Sequence, residues 1–142
     1  MASFEKRSIN SDTAQVILSA AIAKAKQLGF AMSIAVCDES GSLKAFIRMD
    51  GASDTSLHIS QDKAYTSASL GTPTHAFWDV VKNDPPLLHG IVHYPRIVVF
   101  GGGYPIKENG KVIGGVGVSG GHYSDDMEVA RAGIQAIGAP VG

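Results

Sequence analysis

The most constraining stretch of the chain is VIGGVGVSGG, residues 112–121. It reads as an apolar strand, Val112 to Ser119, carrying glycine at 114, 115 and 117 and running into a sharp turn at Gly120-Gly121. Glycine inside a strand removes a packing side chain and costs backbone entropy, so several are kept only where another backbone or a ligand must come very close. After the turn the pattern predicts a helix starting at Asp125, with Glu128 as its capping-box partner and Met127, Ala130, Ile134 and Ile137 as its apolar stripe. Free N–H groups at such a turn, beside a helix N-terminus, suit an anion. Asp125, Asp126 and Glu128 already bring negative charge to that end, which counts against a bound phosphate.

The 142 residues fit a single domain over 1–142, long enough to bury roughly two-thirds of its unfolded surface. Seventeen glycines exceed the usual share of about 7%, so glycine is being used for structure. A net charge of −1 provides no basic field for nucleic acid or an anionic membrane. No apolar run approaches the roughly twenty residues of a membrane span, and the N-terminus lacks the apolar core of a signal peptide, so the expected location is cytoplasmic. The lone Cys37, in a strand-like apolar run, reads as a buried small hydrophobe.

Along the chain, Ser11 or Asp12 is the expected cap of a first helix that ends at Leu28 with Gly29 as its left-handed stop. Residues 31 to 38 alternate bulky Met32, Ile34 and Val36 with small Ser33, Ala35 and Cys37. A turn at Glu39-Ser40-Gly41 leads to a partner strand through Leu43, Ala45, Ile47 and Met49. Asp54 is the expected cap of a second helix to Leu70, with Leu57, Ala64, Tyr65 and Ala68 on its buried face and Lys63 near its edge. A short third helix spans Thr74 to Val81. The stretch LLHGIVHY, between Pro85-Pro86 and Pro95, reads as loop with about one helical turn. Ile97 to Phe100 reads as a short strand, and Asn109-Gly110 joins two more, Tyr104–Lys107 and Lys111–Ser119, in a hairpin. The expected fold class is α+β, a mainly antiparallel five-stranded sheet in the order α-β-β-α-α-β-β-β-α, with the first and last helices on one face. Trp78, Phe77, Leu87, Leu88 and Ile91 are too apolar for a solvent-facing region, which predicts a homo-oligomer.

Four segments resemble the GlcG/HbpS-like family of small haem-binding and unknown-function proteins: AMSIAVCDESGSLKAFIRMDGA (31–52), DKAYTSASLGTPT (62–74), GGGYPI (101–106) and GKVIGGVGVSGG (110–121). The resemblance implies the helix-flanked sheet and a homo-oligomer often built from several dimers. It also implies haem as a cofactor in some members, including secreted sensors and the C-terminal domain of PduO-type proteins. Arg48, Met49, Asp50, Lys63, Gly102, Gly103, Pro105, Ser119, Gly120 and Gly121 sit where the family pattern is strongest, and are expected to line one cleft.

Among the five histidines, His122 follows the glycine turn at the exit of the strand, and His75 lies near Trp78 on the short helix. Either can ligate iron or move a proton near neutral pH. His58 reads as structural. His89 and His93 are spaced for one helix face, but Gly90, Pro95 and the missing HExxH carboxylate argue against a zinc site, and no metal centre is expected. Arg48 and Lys63 can recognise a carboxylate together, or can pair structurally with Asp38, Asp50 or Asp62. Tyr104 and Tyr123 flank the glycine segments and can donate protons. Two readings follow. In the first, the protein is an oligomer binding haem or a similar flat small molecule at an intersubunit groove through His75, Trp78, Gly102, Gly103, Ser119, Gly120 and Gly121. In the second, it is a lyase or isomerase without organic cofactor, acting on a small carboxylate or hydroxylated aromatic. Arg48 or Lys63 then anchors the anion while His122 or Tyr104 moves the proton.

Overall fold

The computed structural model describes residues 2–142. Its elements are α1 (Ser11–Leu28), β1 (Ser33–Asp38), β2 (Leu43–Arg48), α2 (Asp54–Leu70), α3 (Thr74–Val81), α4 (Pro85–Ile91), β3 (Gly103–Glu108), β4 (Lys111–Ser119) and α5 (Tyr123–Ala136). The four strands form an antiparallel sheet in the order β2-β1-β4-β3.

The sheet therefore has four strands rather than five, and the element order gains a helix. Ile97 to Phe100 forms no strand, and a side chain of α2 takes backbone groups at its start. Thr66 Oγ1 donates to the Arg96 carbonyl at 2.8 Å and accepts from Val98 N–H at 3.1 Å. The expected loop before it contains α4, started by Asp84 as cap and Pro85 at its first turn, where a missing N–H costs nothing. The three expected caps also move. Asn10, Ser53 and His122 keep extended backbone and accept from the first free N–H groups, so they cap α1, α2 and α5 in place of Ser11 or Asp12, Asp54 and Asp125.

Strand alternation divides the core into two unlike layers. Ile34, Val36, Val116 and Val118 face α1 and α5, where Ile17, Leu18, Val129 and Ile134 complete a bulky apolar core. Ala35 and Cys37 face α2 and meet only Ala64 and Ala68 there. The register continues this small row across the sheet, aligning Ala35, Gly117 and Gly103 in one line and Cys37, Gly115 and Pro105 in the next.

The glycine strand receives α2 main chain to main chain. A Cβ on Gly117 would fall on the Ser60 carbonyl, and one on Gly115 on the Ala64 carbonyl. Gly114 points to the other face, against Ile9 and the Cys37 carbonyl. This explains the composition of α2, whose buried residues are Ser56, Ser60, Lys63, Ala64, Thr66, Ser67 and Ala68. The expected buried face was partly misassigned: Leu57 and Tyr65 are only half-buried, whereas Lys63 is fully buried.

Candidate functional site

Lys63 projects from α2 toward the C-terminal end of β4. Its Nζ donates to Asp126 Oδ2 and to the Val118 carbonyl, both at 2.8 Å, and neither side chain of the ion pair is exposed beyond 3%. The remaining oxygen of Asp126, Oδ1, accepts from Gly121 N–H at 3.0 Å. The N–H that the glycine turn was expected to offer an anion thus holds the protein's own carboxylate.

The surrounding glycines make room for this pair. Gly102 has φ +125°, and a Cβ there would lie 2.7 Å from Lys63 Nζ and 2.9 Å from Asp126 Cβ. Its carbonyl accepts from Val118 N–H at 2.9 Å, and Gly103 N–H donates to buried Thr74 Oγ1 at 3.0 Å. The pair so ties α2, β4, α5 and the segment entering β3 together. Burial pushes the Lys63 ammonium down from its usual range and the Asp126 carboxyl up, while their mutual attraction and hydrogen bond oppose both shifts.

Directly beside this pair is an apolar groove of about 380 Å³, lined by His75 and Trp78 from α3, Val99, Phe100 and Gly101, and Tyr123 at the start of α5. Phe100 belongs to both features: it lines the groove, and Lys63 Nζ lies 5.1 Å from its ring centroid. Behind the groove the His75 ring stands 5.6 Å from that of Tyr104, whose hydroxyl accepts from Arg131 at 3.0 Å. Tyr104 is 2% exposed, so its phenol is a buried anchor for Arg131.

His75 Nδ1 is buried without a hydrogen-bond partner. Burial holds the imidazole below its ordinary pKa; the Arg131 charge acts in the same direction and Asp79 opposes it. In an NMR titration the His75 resonances are expected to turn over below pH ~6.5, the value of a free imidazole. The sign for stability follows. The unfolded chain takes up this proton first, so the contribution of neutral His75 is intact above ~6.5 and is lost as pH falls through that value toward the depressed folded pKa.

The remaining expected residues are distributed as follows. Gly102, Gly103 and Gly121 surround the ion pair, but Gly120 packs on the Ala31 carbonyl and Met32. Ser119 is buried opposite Ser33 in the β1–β4 ladder. Arg48 does not join Lys63: its NH1 donates to the Ala52 carbonyl at 3.1 Å and lies 3.8 Å from Asp54. None of Asp38, Asp50 and Asp62 pairs with either cation; Asp62 holds Arg96 at 3.1 Å. His122 is exposed, and its Nδ1 accepts from Ser124 N–H at 3.2 Å as the cap of α5. His58 lines a separate depression with Cys37 and Arg96, and burial pushes the Cys37 thiol up to about 12. Among the described residues, no group of three or more His, Cys, Asp and Glu side chains is placed to share a metal ion. No helix among them is long and apolar enough to cross a membrane.

Sequence reasoning did not single out Asp126 except as a helix-cap acid, and it passed over Phe100, Val99, Gly101 and Arg131. A signal that some buried acid is needed was available, though not which one. Lys63 is in helical phase with Ser56, Ser60 and Ser67, the small residues of a close-packed face, and a lysine there requires a buried acid from elsewhere in the chain.

Fold and site together define a small α+β domain whose central helix is seated on strand glycines and whose buried Lys–Asp pair borders an apolar groove. The chain belongs to the HbpS-like family: the family model described as haem degrading protein HbpS-like matches residues 9–135. It is 39% identical over 126 residues to an uncharacterized 15.0 kDa protein from the dhaT-dhaS intergenic region of Citrobacter freundii, covering 87% of this chain and 88% of that one. Among solved structures it is similar to Klebsiella pneumoniae protein ORFY, with a TM-score of 0.91 at 33% identity over 99% of this chain and 97% of that one. It is also similar to PduOC, solved as a complex with haem, with a TM-score of 0.85 at 31% identity over 94% and 97% of the two chains.

Proposed function

We propose that the protein is an oligomeric binding protein that holds haem, or a similar flat ligand, in the groove lined by His75 and Trp78. The observation that carries this reading is the apolar groove itself, with His75 as the imidazole in its lining beside Trp78, Val99 and Phe100. The donor set fits the group: a mostly neutral imidazole beside Trp78, Val99 and Phe100 offers a nitrogen for iron and apolar surface for a macrocycle. Bound haem would supply a redox-active, strongly absorbing iron; the chain's own residues orient the ring and shelter it from water. The solved haem complex of PduOC, a relative at 31% identity, supports the same reading.

Assembly into a homo-oligomer is part of the proposal. Trp78 is 41% exposed and Tyr123 49%, both at the groove, and α4 has no buried residue, so this side of the molecule presents apolar surface that a second copy would cover. The enzyme reading finds less support. The groups assigned to move the proton are engaged elsewhere: the Tyr104 hydroxyl is taken by Arg131 and His122 caps α5, while Arg48 is held by Ala52 and Asp54.

Hemin titration followed by absorption spectroscopy tests the binding reading. The wild-type protein is expected to shift the Soret band with saturable stoichiometry, and His75→Ala to lose that shift while keeping its unfolding midpoint. Absence of a shift in the wild type removes the haem reading; a shift that survives His75→Ala removes His75 as the ligand.

A further inference from the structure

The Lys63 ammonium has three N–H donors, and two of them are used, on Asp126 Oδ2 and the Val118 carbonyl. Among the described residues no third acceptor is present; instead Phe100 presents its ring at 5.1 Å from Nζ, and the same ring lines the groove. Phe100 is 44% exposed, so packing holds its ring on one side only. A face-on aromatic ring is a weak partner for a cation compared with an oxyanion, which forms a charge-assisted hydrogen bond worth roughly twice a neutral one.

We propose that Phe100 is a shutter over the Lys63 ammonium, and that the groove selects flat ligands bearing a carboxylate, which reaches Lys63 when the ring swings aside. This rests on the groove being the binding site, as above. Asp126 does not forbid a second carboxylate. Its Oδ1 is neutralised in part by the Gly121 N–H and its Oδ2 is on another of the three donors, leaving one position open to the ligand. The arrangement gives Lys63 a part in specificity without requiring it to leave its buried partner.

The test compares 2-naphthoate with 2-naphthamide, the same ring with and without the charge, with binding read by NMR at His75 and at Trp78, the chain's single tryptophan. In the wild-type protein the acid is expected to bind roughly tenfold more tightly than the amide. Phe100→Ala, at a half-exposed site that leaves the core intact, is expected to raise that ratio. Binding of both compounds at the groove with equal affinity, or a ratio unchanged by Phe100→Ala, overturns the role of Lys63 and leaves the groove standing. If neither compound moves the His75 and Trp78 resonances, the groove reading falls and this inference with it.

Discussion

Lys63→Met is expected to destabilise the protein by about 3–5 kcal/mol, because it leaves the Asp126 carboxylate buried without its cation. At the scale of a chain this size, that corresponds to a fall in Tm of roughly 10 °C or more. The pair itself is weak evidence for stability, since taking both charges out of water costs nearly as much as their attraction returns. What makes the single change severe is the orphan it creates. The double variant Lys63→Met with Asp126→Asn is therefore expected to recover part of the loss, since an amide keeps an acceptor for the Gly121 N–H without a buried charge. Urea unfolding of the two single variants and the double completes the cycle. A Lys63→Met protein within 1 kcal/mol of wild type, an order-of-magnitude threshold for an exposed pair, would show that the ion pair is not buried in solution.

Gly117→Ala is the second large effect. Its added methyl would meet the Ser60 carbonyl and Ala64 N, both in the backbone of α2, and neither can move away as a flexible side chain would. Overpacking a rigid site typically costs 1–3 kcal/mol, and with main chain on both sides the cost here is expected to be roughly 3 kcal/mol or more. The expected signature is loss of soluble protein or a Tm fall comparable to that of Lys63→Met. Gly110→Ala isolates the opposite case, backbone strain without contact: it sits at φ +76° with nothing within 4 Å of the new methyl, whereas Gly117 has no left-handed φ. If the two variants lose the same amount, the contact between α2 and β4 is looser than described.

The parts of the fold that could be read from sequence are those in which local pattern and tertiary structure agree. Alternation in residues 31–38 and 43–48, the Asn109-Gly110 hairpin, and the Gly29 helix stop all carry their geometry in neighbouring residues. The glycine strand also announced that something had to approach it closely, though not that the visitor would be α2. Ile97–Phe100 misled because β-branched composition reports a preference for extended backbone and says nothing of a ladder partner. At that place Thr66, about thirty residues earlier in the chain, took the hydrogen bonds. The site was less legible for the same reason. His75 and Trp78 lie three apart on one helix, so their joint position at the groove follows from helical spacing. Lys63 and Asp126 are separated by 63 residues, and no local signal could match them.

The strand order β2-β1-β4-β3 has a consequence for how the chain is made. Each central strand finds its inner neighbour across the long span between residues 33–38 and 114–119, so the sheet cannot close until the ribosome has released the last third of the polypeptide. Until then the N-terminal hairpin has no second hairpin to pair with, and α2 has no glycine surface to rest on. Nascent chains of this protein should therefore resist proteolysis only after about residue 120 has emerged, in one late step rather than element by element.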